Sequence, residues 1–272
     1  MTWQEIIQCY PIKYYNQIAK ASQPLQNYFD ITCLDYLKIY NDGRFVYLTN
    51  RPDCAEYYAS EQLFRIDPYF RHPDTHQAGF FWLRINSSDD FKNYTCKISR
   101  QFNIHSPLVF SEKGSNYVEI FCFSGEKEET LHILYLKHSK LLRLFATHYK
   151  KELCLLLNKM EEESFSLVDL QGKAFYAGLD QSPAINTESL HAYLIALGKK
   201  EEIKKAASLS QRERDCLRLL IRGNSAKDSA LELHHSPRTV EFYLENVKNK
   251  LGCSNKHELF VIAGDFENLG LL

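Results

Sequence analysis

The chain reads as an α+β protein in two parts: an N-terminal α-β-α sandwich around a five-stranded antiparallel sheet, and a C-terminal four-helix domain of helix-turn-helix form. Three observations predict this. Five runs rich in aromatic and β-branched residues recur in the first half of the chain. Helical patterns stand before, between and after them. From Ser208 onward, strand signals give way to short capped helices.

Residues 3–21 read as an opening helix. Residues 33–40 and 44–49 are the first two strands, joined by Asn41-Asp42-Gly43, residue types that tolerate the backbone of a hairpin turn. Helical stretches at 53–63 and 90–103 flank a third strand at 79–85. Residues 117–123 and 131–137 complete the sheet, with Ser124-Gly125-Glu126 as the turn between them. Residues 139–163 are helical, and their leucine-rich end at 153–160 closes a first domain, 1–163. Residues 164–207 are too long for an ordinary connection. They carry Gly172, Gly178, Ser182-Pro183 and Thr187-Glu188, then an amphipathic stretch at 189–197 and a charged run at 199–205. An extended linker with one or two short helices is expected there.

The second domain, 208–272, is punctuated by caps. Ser210 with Glu213 makes an S-x-x-E capping box, and Asn255 with Glu258 a comparable start. Gly223 and Asn224 end the first helix. A second, 226–233, is followed by His234-His235, and Ser236-Pro237 opens a third with an N-cap and a proline at the first helical position. In that third helix, 236–251, Val240, Leu244, Val247 and Leu251 form one apolar stripe, and Arg238, Glu241, Phe242, Glu245, Lys248 and Asn249 form the opposite face. Taken alone this is an amphipathic helix with a solvated face. In a helix-turn-helix it would lie in the major groove of DNA, with its N-terminal residues at base edges. The last helix, 255–266, lines up Leu259, Ile262, Ala263 and Phe266, which either pack on Leu217 and Leu220 or meet a second subunit.

Charge is balanced overall, 33 basic against 34 acidic residues. Between residues 209 and 259 nine Lys/Arg face seven Asp/Glu, so non-specific attraction to phosphate is expected to be modest. Eight cysteines are scattered without a C-x-x-C pair, as for free thiols in a reducing compartment. His72 and His76 have a metal-ligand spacing, but Pro73 between them argues for a loop. No signal peptide and no membrane-length apolar run is present, so a soluble cytoplasmic protein is expected. Nothing in the N-terminal half assembles a nucleophile with a base, a phosphate-cradling glycine loop or a metal set. No catalytic residue and no cofactor are therefore expected, and the protein is read as not an enzyme.

Leu209-Ser210-x-Arg212-Glu213-Arg214, Leu217, Leu220, Gly223, Ser225-Ala226-Lys227-Asp228, Ala230, Leu233, Ser236-x-x-Thr239-Val240-Glu241 and Lys250-Leu251-Gly252 resemble, in order, the C-terminal domain of LuxR-type bacterial transcription regulators. Ser229 departs from the family's aliphatic residue and Tyr243 from its frequent histidine. The resemblance implies that Ser236, Thr239, Lys227, Arg238, Lys248 and Lys250 meet phosphates, and that Glu241, Phe242 and Glu245 face bases. It also implies a homodimer on a palindromic DNA site, with RNA polymerase as a further partner.

The first domain is similar to the autoinducer-binding domain of the same regulators. Tyr58, Asp67-Pro68, Trp82 and the turn at 102–106 carry that resemblance. It implies a small-molecule pocket walled by Tyr58 and Trp82, with Asp67 accepting from a ligand amide. Cys54 stands where the family has a tryptophan that holds the lactone carbonyl, and Pro107 replaces a glycine. A thiol is a weak donor, so acyl-homoserine lactones are not the expected ligand. The alternative is a regulator whose N-terminal domain works only through protein contacts.

Overall fold

The computed structural model describes residues 2–82, 89–105, 107–177 and 187–272, and the chain divides into two compact units, 1–181 and 182–272. The first unit is built on an antiparallel sheet of β1 (Cys33–Tyr40), β2 (Arg44–Thr49), β3 (Gly79–Trp82), β4 (Leu108–Lys113), β5 (Tyr117–Ser124) and β6 (Phe165–Ser166), in the order β3-β4-β5-β1-β2-β6. The central strand β1 pairs Tyr36 with Leu48 on one side and with Phe121 on the other. Gly43 turns the β1–β2 hairpin at φ 87°, while Asp42 accepts from the Arg44 amide. A side chain at Gly43 would collide with Val168.

Side-chain parity sorts the sheet into two dry faces. Leu34, Tyr36, Leu48, Phe110, Phe121 and Phe123 pack against α2 (Tyr15–Phe29), α5 (Glu128–Glu152) and α6 (Cys154–Glu162). Leu37, Ile39, Phe45, Val109, Val118 and Ile120 pack against α1 (Trp3–Ile7), α3 (Pro52–Ser60), α4 (Asp89–Phe102) and α7 (Leu167–Gln171). Burial on both faces explains why β1 reads as a nearly continuous apolar run. Across the first face, buried Glu119 accepts from the Tyr36 hydroxyl at 2.8 Å and from Lys150 of α5 at 2.8 Å, fixing the helix to the sheet.

The α+β class and the sandwich stand, with six strands among the described residues in place of five. Residues 131–137 are not a strand but the start of α5, in which Leu131, Leu134, Leu142, Phe145 and Tyr149 are buried at helical spacing. Gly125 accordingly leads into a helix, and the hairpin turn lies instead between β4 and β5, where Gly114 donates to Tyr117 O. β4 and β6 are additions to the reading. The third strand ends its described part at Trp82; residues 83–85, like Ser106, Gly178 and Ser182-Pro183, lie outside the described residues.

The stretch expected to be a linker is divided between the units. β6, α7 and buried Phe175 belong to the first, while α8 (Thr187–Ala196) and α9 (Lys200–Ala207) belong to the second. There Leu194 and Ala206 share a core with Leu209, Leu217, Leu220, Val247, Leu251, Leu259, Ala263 and Phe266. Most of the apolar stripe of α13 (Lys256–Asn268) is thus buried within its own unit, with Phe260 and Val261 left exposed.

Candidate functional site

In the second unit, α10 (Gln211–Ile221), α11 (Ala226–Glu232) and α12 (Pro237–Leu251) form the helix-turn-helix. Each start is capped by a hydroxyl. Ser210 accepts from the Glu213 amide, Ser225 from the Asp228 amide and Ser236 from the Thr239 amide at 3.1 Å. The tight turn before α12 places His234 at φ 54°, a conformation that glycine and a few polar residues take readily. Val240 is buried against Ala230 and Cys216, which fixes which side of α12 faces inward. The buried Ser229 and the half-buried Tyr243, whose ring lies 6.1 Å from that of His235, are accommodated at this corner.

The opposite side of α12 is open. Arg238, Glu241, Phe242 and Glu245 are all exposed, and Phe242 keeps 63% of its surface accessible. Lys227 is exposed on α11, and Ser236 and Thr239 sit together at the α12 N-terminus, their hydroxyls 2.8 Å apart. Lys248 is half-buried and pairs with Glu245 at 2.8 Å. The structure thus brings eight of the nine positions named from sequence to one capped helix or its neighbour with side chains toward solvent or at its margin.

Lys250 is different. Its ammonium lies 2.7 Å from Glu213 and donates to Ser208 O at 3.0 Å. Burial alone would push the Glu213 carboxyl up, but hydrogen bonds from Lys250 and Ser210 outweigh it and hold it below the usual carboxylate range. Lys250 therefore completes the capping box of α10. Lys250→Ala is expected to lower the stability of this unit by about 1–3 kcal/mol, because buried Glu213 loses its counter-ion. Chemical denaturation followed by circular dichroism checks this, and an unchanged midpoint would assign the lysine no structural part.

In the first unit a cavity of about 110 Å³ opens between the sheet and helices α3 and α4. Cys54 and Tyr58 from α3 line it, with Asp67 and Tyr69 from the following loop, Phe91 and Tyr94 from α4, and Pro107. Tyr58 donates to Asp67 at 2.6 Å, and the Tyr69 amide donates to its other oxygen at 2.8 Å. Desolvation pushes the Asp67 carboxyl up to about 6, although those two hydrogen bonds oppose it. Burial likewise pushes the Cys54 thiol up to about 12, so it is a neutral, weak donor.

Trp82 is not in this wall. It shares the parity of Phe80 on β3 and packs beside α5, its ring 4.6 Å from His132, while Phe81 is the β3 residue on the cavity face of the sheet. Sequence reading also missed Asp35, which lines the cavity from the central strand and accepts from the Tyr47 hydroxyl at 3.0 Å. Its signal was a carboxylate inside a mostly apolar strand. His72 and His76 flank a short 3₁₀ turn, where His72 accepts from the Asp74 amide. Among the described residues no group of three metal-ligating side chains gathers, all eight cysteines are free, and no helix is long and apolar enough to cross a membrane.

Residues 207–263 match the family model of bacterial regulatory proteins of the luxR family. The transcriptional regulatory protein FixJ of Azorhizobium caulinodans is 43% identical over 65 residues, which are 24% of this chain and 31% of that protein. The chain thus spans about a third of that relative's length. The spore germination protein GerE of Bacillus subtilis is 32% identical over 63 residues, 23% of this chain and 85% of GerE. A crystal structure of Escherichia coli SdiA aligns over 100% of this chain and 92% of its own at 16% identity, with a TM-score of 0.38. With GerE covered almost end to end, and with the capped α10–α12 unit falling inside the matched segment, the chain belongs to the luxR family of bacterial regulatory proteins.

Proposed function

We propose that the protein is a sequence-specific DNA-binding transcription regulator of the cytoplasm, not an enzyme, which binds a palindromic site as a homodimer and contacts RNA polymerase when bound. The observation that carries this reading is the exposed outer face of α12 behind a hydroxyl-capped N-terminus. Free amides at a helix start attract phosphate, and Lys227, Arg238 and Lys248 add charge. Glu241 and Glu245 accept from cytosine amino groups, and Phe242 presses on a thymine methyl. Lys250, held by Glu213, serves the fold in this scheme. Dimerisation through α13 rests on Phe260 and Val261.

Selection of binding sites from a random pool tests this reading. Glu241→Gln is expected to change preference at one base pair, with a discrimination loss of about 1–3 kcal/mol there. Identical selected sequences for both proteins would sink the assignment.

The N-terminal unit fits a small-molecule sensor not tuned to acyl-homoserine lactones. Its cavity is lined by Tyr58 and Asp67, but by Cys54 where a strong donor would be needed. A contact-only regulator is the second reading, favoured by the exposed Leu136, Leu144 and Leu155 on α5 and α6.

A further inference from the structure

The cavity holds more hydrogen-bonding capacity than the protein itself uses. Two carboxylates line it, Asp35 from β1 and Asp67 from the loop after α3. Asp35 accepts from the Thr49 and Tyr47 hydroxyls and, weakly, from the Cys33 thiol; Asp67 accepts from Tyr58 and from the Tyr69 amide. Every one of these partners is neutral. The guanidiniums close enough to influence the two acids are held elsewhere: Arg51 by Asp53 at 2.7 Å, Arg71 by Gln171 and the Arg65 carbonyl. The same walls carry two phenols, Tyr69 and Tyr94, 6% and 7% exposed, whose hydroxyls have no hydrogen-bond partner among the described residues. Orphaned polar atoms this deeply buried are uncommon and call for a partner.

The physical demand is therefore specific. Buried carboxylates without a counter-ion are costly, and a cation that reaches them relieves that cost. The side chains of Tyr58, Phe70, Phe91 and Tyr94 line the cavity too, and a cation lying over the face of any of these rings is attracted as well. Phenolic oxygens accept N–H groups. The volume of about 110 Å³ is on the scale that takes one six-membered ring.

Resting on the sensor reading above, we infer that the ligand is a single-ring organic cation, an amine or amidine, whose N–H groups meet the carboxylates of Asp35 and Asp67 and the free hydroxyls of Tyr69 and Tyr94. Desolvation of both acids by burial, which disfavours their charged forms, agrees with this.

The test is calorimetric titration of the full chain with benzamidine, its neutral isostere benzamide, benzoate and octanoyl-homoserine lactone. Benzamidine is expected to bind at least about tenfold more tightly than benzamide, as charge-assisted bonds exceed neutral ones, and benzoate not to bind. Asp35→Asn and Asp67→Asn are each expected to reduce benzamidine affinity by about tenfold and to narrow its lead over benzamide. Tyr94→Phe removes only a hydroxyl without a partner, so its fold is secure; it is expected to weaken benzamidine about threefold or more. Equal affinity for benzamide and benzamidine, or tighter binding of the lactone, overturns the cation but leaves the sensor reading standing. Binding of none of the four, together with unchanged operator affinity in a cavity-filling Ala55→Leu variant, removes both.

Discussion

Val240→Asp is expected to abolish DNA binding while leaving the N-terminal unit intact. Val240 is fully buried where α12 crosses α10 and α11, against Cys216 and Ala230, with Leu233, Tyr243 and Leu244 around it. A carboxylate there would sit among apolar side chains. Leaving an unpaired charge in such a place costs several kcal/mol, roughly 3–5 by the measure of broken buried ion pairs. That is comparable with the whole stability of a small unit. The α11–α12 corner should therefore open, and with it the exposed face that carries Glu241, Phe242 and Glu245. The two tryptophans of the chain, Trp3 and Trp82, both lie in the first unit. Their fluorescence transition in urea should stay where it is in the wild type, whereas gel-shift binding to the selected operator should vanish. Retained operator binding at wild-type affinity would mean that α12 is not the reading helix.

Much of this corner was legible in the sequence because its signals are local. A serine three residues before a glutamate, or a serine before a proline, specifies a helix start with no knowledge of the rest of the chain. The β1–β2 hairpin was legible for the same reason, since Asn41-Asp42-Gly43 fixes the turn and the turn fixes the register. What failed depended on partners distant in sequence. The start of α5 looks like a strand because its outer face is apolar too: Ile133 and Leu136 are exposed, which erases the amphipathic period. β4 offers only three apolar residues before Ser111-Glu112-Lys113, and its identity comes from pairing with β3 and β5. β6 exists only through Arg44 and Phe45 of the strand beside it.

The cavity divides along the same line. Tyr58 and Asp67 were both expected in the pocket through the family resemblance, but their hydrogen bond to each other was not foreseen. Trp82 was assigned to the wrong face because one step along a strand reverses the side chain, and only the pairing of β3 with β4 sets which face is which. Asp35 stayed hidden inside an apolar run until both faces of β1 were known to be covered.

The acids of that cavity should also govern how the first unit responds to pH. With its folded carboxyl pushed up to about 6 against about 4 in an unfolded chain, Asp67 is protonated in both states below pH 4 and has no effect there. Between pH 4 and 6 the unfolded chain ionises first, so unfolding releases a proton and stability falls as pH rises. Above about pH 6 both forms are ionised and the full penalty, roughly 3 kcal/mol for a shift of about two pH units, is present. Asp35, raised by burial in the same sense, adds to the slope. Asp67→Asn cannot ionise; its single amide oxygen can keep the bond from the Tyr69 amide, while the Tyr58 phenol turns to accept from its NH2 instead of donating. Its urea midpoint, read from tryptophan fluorescence, should therefore lose most of the decline that the wild type shows from pH 4 to 7, and at pH 7 the variant should be the more stable protein. Parallel pH profiles for the two would show that the carboxyl is not held out of water in solution. A cation in the cavity would relieve the same penalty, so its stabilising effect on the wild type should be largest at pH 7, where Asp67 is charged and otherwise unpaired, and should shrink toward pH 4 as the carboxyl takes up its proton.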